Sequence, residues 1–150
     1  MRDIILLLTT IVILGCADSS PPPIDMEHLN SPESESLDLP FSEAVRVGNT
    51  LYLSGQLGHI PGTMDLVPGG VGPETEQTLK NIKATLERHG SSLDKVVKCT
   101  VFMADIKEWP AMNEVYRRFF GPRFPARSAV GGGELALGAR LEIECIALVD

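Results

Sequence analysis

The sequence has little that could build a metal centre or a nucleic-acid surface. Its three cysteines and three histidines are scattered rather than grouped at ligand spacings, so we predict no metal site. The formal net charge is −7, and no segment of the sequence carries a stripe of lysine and arginine. Proteins that bind nucleic acids need such cations to displace counterions from phosphates. We therefore expect no nucleic-acid partner.

The sequence also lacks an apolar run long enough to span a membrane. Residues 4–14 form a run of 11, whereas a spanning helix needs about 20 residues. A run of this length is typical of the apolar region of a signal peptide. It leads into Ile13-Leu14-Gly15-Cys16, which resembles the bacterial lipobox, whose cysteine receives lipid. We predict that residues 1–16 are a lipoprotein-type signal peptide, with a plain secretory signal or a membrane-lying helix as the alternatives.

Positive charge is missing from the next segment. Residues 17–38 carry six acids and no lysine or arginine, and they are rich in proline and serine. From residue 39 onward, 13 acids face 12 lysines and arginines, so the rest of the chain is near neutral. We predict a disordered acidic tether over residues 17–38, followed by one domain over residues 39–150. A lipid on Cys16 would then hold the exported domain at the bacterial cell membrane, in the periplasm or on the outer surface.

Residues 39–150 show two hydrophobic periods. Strands are predicted where polar and apolar residues alternate or β-branched residues cluster, and helices where apolar residues recur every three to four positions. The predicted order is β-β-α-β-α-β-β, an α+β domain with both helices on one face of a single sheet. The predicted strands are residues 43–47, 51–53, 96–103, 126–130 and 141–149, and the helices are residues 74–89 and the segment carrying Met112, Val115, Tyr116 and Phe119.

Cys99 and Cys145 both lie in apolar predicted strands. Buried free thiols are typical of such positions, and we favour them over a disulfide. In an exported protein the two thiols could be oxidised to a disulfide if the two strands are neighbours. Geometry decides between the two states.

Arg127 is unusual because it stands in a mostly apolar predicted strand. Burying an arginine is costly unless it is paired. It could meet Glu142 or Glu144, which share a face of the last strand because side chains alternate. It could instead bind the carboxylate of a ligand with its planar fork of donors. The residues alone leave both interpretations open.

Several stretches in this order resemble the RidA/YjgF family of reactive-intermediate deaminases, also described as endoribonuclease L-PSP. The resemblance covers essentially all of residues 39–150. It implies a chorismate-mutase-like fold assembled as a homotrimer with clefts between subunits. The stretches are Val47-Gly48-Asn49 to Ser54-Gly55-Gln56, Val96 to Phe102, Met112-Asn113-Glu114-Val115-Tyr116, Phe124-Pro125-Ala126-Arg127-Ser128, and Leu141-Glu142-Ile143-Glu144-Cys145-Ile146-Ala147.

The resemblance also implies an activity and a site. Family deaminases hydrolyse 2-imino acids to 2-keto acids and ammonia without a cofactor. Arg127 matches the arginine that pairs with the substrate carboxylate, and Glu142 matches the glutamate that positions water. Ser54 and Gly55 match residues lining the cleft, and Asn113 matches one near it. The expected partners are a small carboxylate-bearing metabolite and further copies of the chain.

Two positions depart from the family pattern. Phe41 stands where a tyrosine often lines the cleft, and Ala129 stands where many members have a cysteine. Arg127 and Glu142 are retained, so we expect a carboxylate-binding site and imine hydrolysis. A non-catalytic carboxylate-binding trimeric lipoprotein is the alternative, and a ribonuclease is the least favoured. An exported member would also be separated from the cytoplasmic enzymes that generate imino acids.

Overall fold

A computed structural model describes residues 25–149. The predicted signal peptide with Cys16, and residues 17–24 of the predicted tether, lie outside the described residues. Within the described part of the chain, no helix is long and apolar enough to cross a membrane.

The structure contains six strands and three helices. The strands are β1 Met26–Leu29, β2 Ala44–Val47, β3 Thr50–Leu53, β4 Val96–Met103, β5 Ala126–Gly131 and β6 Leu141–Leu148, and the helices are α1 Pro32–Ser36, α2 Val71–Arg88 and α3 Trp109–Phe120. Short 3₁₀ turns lie at Leu93–Lys95, Ile106–Glu108 and Ala136–Gly138. The six strands form one sheet in the order β1-β2-β3-β6-β4-β5. Neighbouring strands are antiparallel except β4 and β5, which are parallel because α3 connects them as a crossover.

The core lies between the two long helices and one face of the sheet, here called the inner face. The apolar stripe of α2, which includes Leu79, Ile82 and Leu86, is fully buried. Gly90 follows this helix at φ +79°, the left-handed conformation that ends many helices. The prediction of a mixed α+β domain with one sheet and two main helices is confirmed.

The opposite face of the sheet, here called the open face, carries no helix in the described chain. Its positions alternate with the buried ones along β3, β4, β5 and β6, as the strand period requires. Large apolar side chains therefore lie exposed on this face in the single chain. They include Tyr52, Phe102, Val130 and Leu148.

The predicted boundary at residue 39 lies too far along the chain. β1 and α1 fall inside the predicted tether, and Met26–Leu29 pairs in register with β2. Glu43 explains how so polar a segment is ordered: its carboxylate accepts a hydrogen bond from the backbone N–H of Ser31, and its own N–H donates to Asn30 Oδ1. Composition did not reveal this order because the segment is held largely through backbone hydrogen bonds.

The preference for free thiols was also wrong. Cys99 on β4 and Cys145 on β6 are directly opposite each other across the antiparallel ladder, and they form a disulfide. Both residues belong to the core. The strand order, which brings β6 beside β4, supplies the proximity that the sequence left open.

Candidate functional site

The side chain of Arg127 lies between β5 and α3. Arg127 pairs in register with Cys99, so it points to the inner face, where α3 covers the sheet. Its Nη2 donates to Asn113 Oδ1 at 2.7 Å, and its guanidinium carbon lies 4.5 Å from the ring centroid of Tyr116. These contacts fix the plane of the guanidinium. Asn113 therefore acts in the single chain as a positioning residue for Arg127.

The spacing along α3 explains this arrangement. Trp109, Asn113 and Tyr116 are separated by four and three residues, which places them on one side of a helix. The Trp109 ring centroid lies 5.8 Å from the Arg127 guanidinium carbon, so two rings flank the cation. Burial raises the pKa of Tyr116 to about 12, although the charge of Arg127 opposes the rise. Tyr116 therefore stays neutral at physiological pH.

Arg127 has no acidic partner among residues 25–149, where no carboxylate lies within 4.0 Å of it. A pairing with Glu142 or Glu144 across the sheet was one of the two interpretations, and it is wrong. The guanidinium instead borders a cavity of about 540 Å³. A half-buried cation with unused donors beside a cavity is suited to bind a carboxylate. The cavity is lined by Ile106, Lys107, Trp109, Pro110, Arg127 and Ala129.

Glu142 lies on the open face of β6, opposite Phe102 of β4. Partial burial raises the pKa of its carboxyl group, and the negative charge of Glu144 adds to the rise. The two glutamates share a face, as the strand period predicts. A carboxylate with a raised pKa is a stronger base than an ordinary one and is suited to exchange protons with a bound molecule.

Gly55 makes room for the Glu142 carboxylate. A Cβ atom at Gly55 would lie 1.8 Å from Glu142 Oε1, closer than any real contact. The neighbouring backbone is fixed there, because Gln56 N donates to Ile143 O at 2.9 Å and Ile143 N donates to Gln56 O at 3.0 Å. The Glu142 carboxylate therefore packs directly against the Gly55 backbone.

Arg127 and Glu142 occupy opposite faces of the sheet. Arg127 shares the inner face with Cys99, whereas Glu142 shares the open face with Phe102. Cys99 and Phe102 lie three positions apart on one strand, so their side chains point in opposite directions. One copy of the chain therefore does not bring the two charged groups to the same cavity.

The remaining predicted site residues are placed differently. The Ser54 hydroxyl donates to Ser42 O at 2.7 Å, so its proton is already engaged. Phe41 is 53% exposed and borders a second cavity of about 620 Å³ beside Gly55. The structure does not bring Phe41 to Arg127. Ala129 does line the Arg127 cavity, so a methyl group stands where many family members have a thiol.

Sequence reasoning missed Trp109 and Tyr116 as part of the site. Tyr116 was assigned to the helix core, where it does lie, at 3% exposure. The signal was their spacing of seven residues with Asn113 between them, which places two rings and an amide on one side of α3. That pattern becomes informative only when β5 is known to lie beside the helix. No cluster of three or more metal-ligating side chains occurs within residues 25–149.

Known proteins resemble this chain in sequence and in fold. A relative from goat (Capra hircus), named 2-iminobutanoate/2-iminopropanoate deaminase, is 48% identical over 109 residues, which are 73% of this chain and 80% of the relative. A solved structure from Thermotoga maritima is 45% identical, with a TM-score of 0.72 over 75% of this chain and 88% of that one. The structure of Escherichia coli TdcF with bound serine is 33% identical, with a TM-score of 0.70 over 75% and 90% of the two chains.

Residues 33–149 match the family described as Endoribonuclease L-PSP. This match covers more than half of the chain and contains Arg127, Glu142, Gly55 and Asn113. It agrees with the fold, with the similar structures and with the stretches that resemble the RidA/YjgF proteins. The chain therefore belongs to the Endoribonuclease L-PSP family, the family that includes the RidA/YjgF proteins.

Proposed function

We propose that this protein hydrolyses 2-imino acids to 2-keto acids and ammonia. The observation that carries the proposal is Arg127, a fixed guanidinium without an acidic partner in residues 25–149, facing a cavity. A 2-imino acid offers the carboxylate that such a group binds. The goat relative at 48% identity is named 2-iminobutanoate/2-iminopropanoate deaminase, which supports the same reaction.

The reaction needs one group that binds the substrate carboxylate and one group that accepts and donates protons. Arg127 would hold the substrate carboxylate and so orient the electrophilic C2 atom toward water. The Glu142 carboxylate would take a proton from that water as its oxygen bonds to C2 of the protonated imine, giving a carbinolamine. Glu142 would then return the proton to the nitrogen, and the C–N bond would break as ammonia leaves. The hydroxyl would lose its proton to the Glu142 carboxylate, which gives the keto acid.

We further propose that each site forms between two copies of the chain in a homotrimer. Arg127 and Glu142 lie on opposite faces of the sheet, so a complete site needs Arg127 from one copy and Glu142 from a neighbour. The apolar side chains of the open face support this assembly, because a second copy would remove them from water. Analytical ultracentrifugation of the protein should give the mass of three chains, and a monomer would contradict the proposal.

The proposal is tested by generating 2-iminobutanoate in situ and following the release of 2-ketobutanoate. Arg127→Ala removes the carboxylate anchor, and we expect kcat/KM to fall by about 100-fold, since charged hydrogen bonds contribute about 1.5–3 kcal/mol. Arg46→Ala, on the distant strand β2, is the matched control and should keep the wild-type rate. No acceleration by the wild-type protein would contradict deaminase activity.

We propose that the protein acts outside the cytoplasm, attached to a membrane by lipid on Cys16. The support is the 11-residue apolar run followed by Ile13-Leu14-Gly15-Cys16. Mass spectrometry of the mature N-terminus should find diacylglycerol on Cys16 in the wild type. A Cys16→Ser variant should carry no lipid, and in detergent phase partition it should be found in the aqueous phase. An unlipidated wild-type protein that retains residues 1–15 would contradict the proposal.

A further inference from the structure

From the cavity beside Arg127 we infer that the preferred substrates are 2-imino acids with bulky apolar side chains, and that Trp109 selects them. This inference rests on the proposed deaminase function and names the substrate class of the same site. It is argued from the residues that line the cavity, and not from the stretches that resemble the family or from the similarity to relatives.

The walls of this cavity are mainly apolar. Ile106, Trp109 and Pro110 come from the turn before α3 and the first residues of the helix, and Ala129 comes from β5. Ile106 is 47% exposed and Trp109 is 43% exposed, so their apolar surfaces face the cavity and the solvent rather than the core. Exposed apolar side chains grouped around a binding cation are suited to bind the apolar part of a ligand.

The position of Arg127 sets the direction of the substrate. When the substrate carboxylate is bound to the guanidinium, C2 is one bond from the carboxylate carbon and the substrate side chain extends beyond C2. The Trp109 ring lies beside the same guanidinium, with its centroid 5.8 Å from the guanidinium carbon. The side chain of a bound imino acid is therefore within reach of the indole. A side chain of one or two carbons would leave most of that ring uncovered.

Substrate side chains of different length would cover these apolar walls to different extents. One methylene in an apolar pocket changes kcat/KM by roughly 10–200-fold, so a longer apolar chain against Trp109 should give a measurable preference.

Lys107 is the only charged side chain besides Arg127 among the described residues that line the cavity. It is exposed, and its backbone N–H is held by Asp105 Oδ1 at 2.9 Å. A second cation would suit a 2-imino acid with a second carboxylate. The four apolar wall residues favour an apolar side chain, and the acidic substrate is an outcome that the experiment can reveal.

The experiment measures kcat/KM of the full-length protein for imines generated in situ from alanine, 2-aminobutanoate, leucine, phenylalanine and aspartate. We expect the leucine- and phenylalanine-derived imines to exceed the alanine-derived imine by at least about 10-fold. Trp109→Ala should reduce that ratio to about threefold or less, and Trp109→Phe, which keeps an aromatic wall, should retain most of it. Lys83→Ala, an exposed position on α2 that does not line this cavity, is the control and should leave the ratio unchanged.

The outcomes separate this inference from the proposed function. Hydrolysis of none of the five imines would overturn the deaminase function itself. Hydrolysis with the alanine- or aspartate-derived imine preferred would overturn only the apolar selectivity. A leucine and phenylalanine preference that persists in Trp109→Ala would overturn the role of Trp109. A preference that is lost in Trp109→Ala and kept in Trp109→Phe would establish both.

Discussion

At the scale of single residues, Glu142 has both a raised pKa and a defined position against Gly55. Its carboxyl group lies against Gly55, where a side chain would occupy the same space. Burial raises the pKa of Glu142, and the charge of Glu144 two residues along the same face raises it further. A base must be deprotonated to accept a proton from water, so activity should be lost as the pH falls through the pKa of Glu142.

The pH dependence of kcat/KM tests this environment. In the wild type the acidic limb should lie above the pKa of 4.5 that is ordinary for a glutamate. Glu144→Gln removes the neighbouring negative charge. Because this removal stabilises the ionised form of Glu142, the acidic limb should move to lower pH. Glu87→Gln, an exposed position on α2, is the control and should not move it. An unchanged limb in Glu144→Gln would mean that Glu144 does not set the pKa of the base.

The family resemblance assigned Arg127 and Glu142 to one site, but the sequence did not show on which face of the sheet each residue lies. Strand alternation correctly put Glu142 and Glu144 on one face. It could not show that Arg127 points to the other face, because that depends on the register between β4 and β5. β4 and β5 are joined through α3 and not by a tight turn, so no turn in the sequence sets their register.

At the scale of elements, Glu43 fixes the N-terminal segment to the rest of the domain. One carboxylate oxygen accepts a hydrogen bond from Ser31 N at 2.9 Å, and the other accepts one from Thr85 Oγ1 at 2.8 Å and also contacts Arg88. Burial alone would raise the pKa of Glu43, but the Thr85 hydrogen bond and the Arg88 charge outweigh it and lower the pKa. The ionised carboxylate thus joins the segment before α1 to α2.

Glu43→Gln should destabilise the protein at pH 7 by about 1–3 kcal/mol, because an amide cannot replace both acceptor oxygens of a buried carboxylate. The pKa of Glu43 is lower in the folded state, so its charge stabilises the fold above about pH 4.5 and this stability is lost as the pH falls through the folded-state pKa. Urea unfolding should show a gap between wild type and variant that narrows below that pH.

Glu33→Gln, an exposed change on α1, is the control for this measurement and should unfold with the wild type. Hydrogen exchange should also report faster opening of β1 in Glu43→Gln, since the segment would lose its connection to α2. Equal stability of Glu43→Gln and wild type at pH 7 would contradict the assigned role of Glu43.

The elements that the sequence predicted well are those whose own residues carry the pattern. β4 was predicted at Val96–Met103 and observed there, because a run of β-branched and apolar residues marks it. β1 was missed because it is polar and largely exposed, and it is stabilised by pairing with β2. The Cys99–Cys145 disulfide was missed for a related reason, since it depends on β6 lying beside β4.

At the scale of the whole molecule, the main feature is a sheet that, within residues 25–149, is covered by helices on one face only. The core fills the inner face, while the open face exposes several large apolar side chains together with Glu142. Burial of such a surface by neighbouring copies is favourable at roughly 25 cal/mol per Å². The same contact would bring Glu142 of one copy to Arg127 of another, so assembly and catalysis would depend on one surface.

The proposed shared site is tested most directly by mixing two inactive variants. Arg127→Ala and Glu142→Gln subunits, each inactive alone, would be co-expressed with different tags and purified as mixed assemblies. Every mixed trimer contains two subunits of one variant and one of the other, so one of its three shared sites receives both an intact Arg127 and an intact Glu142. About one third of the wild-type deaminase activity should therefore return. Activity no greater than that of the separate variants would contradict a site shared between copies.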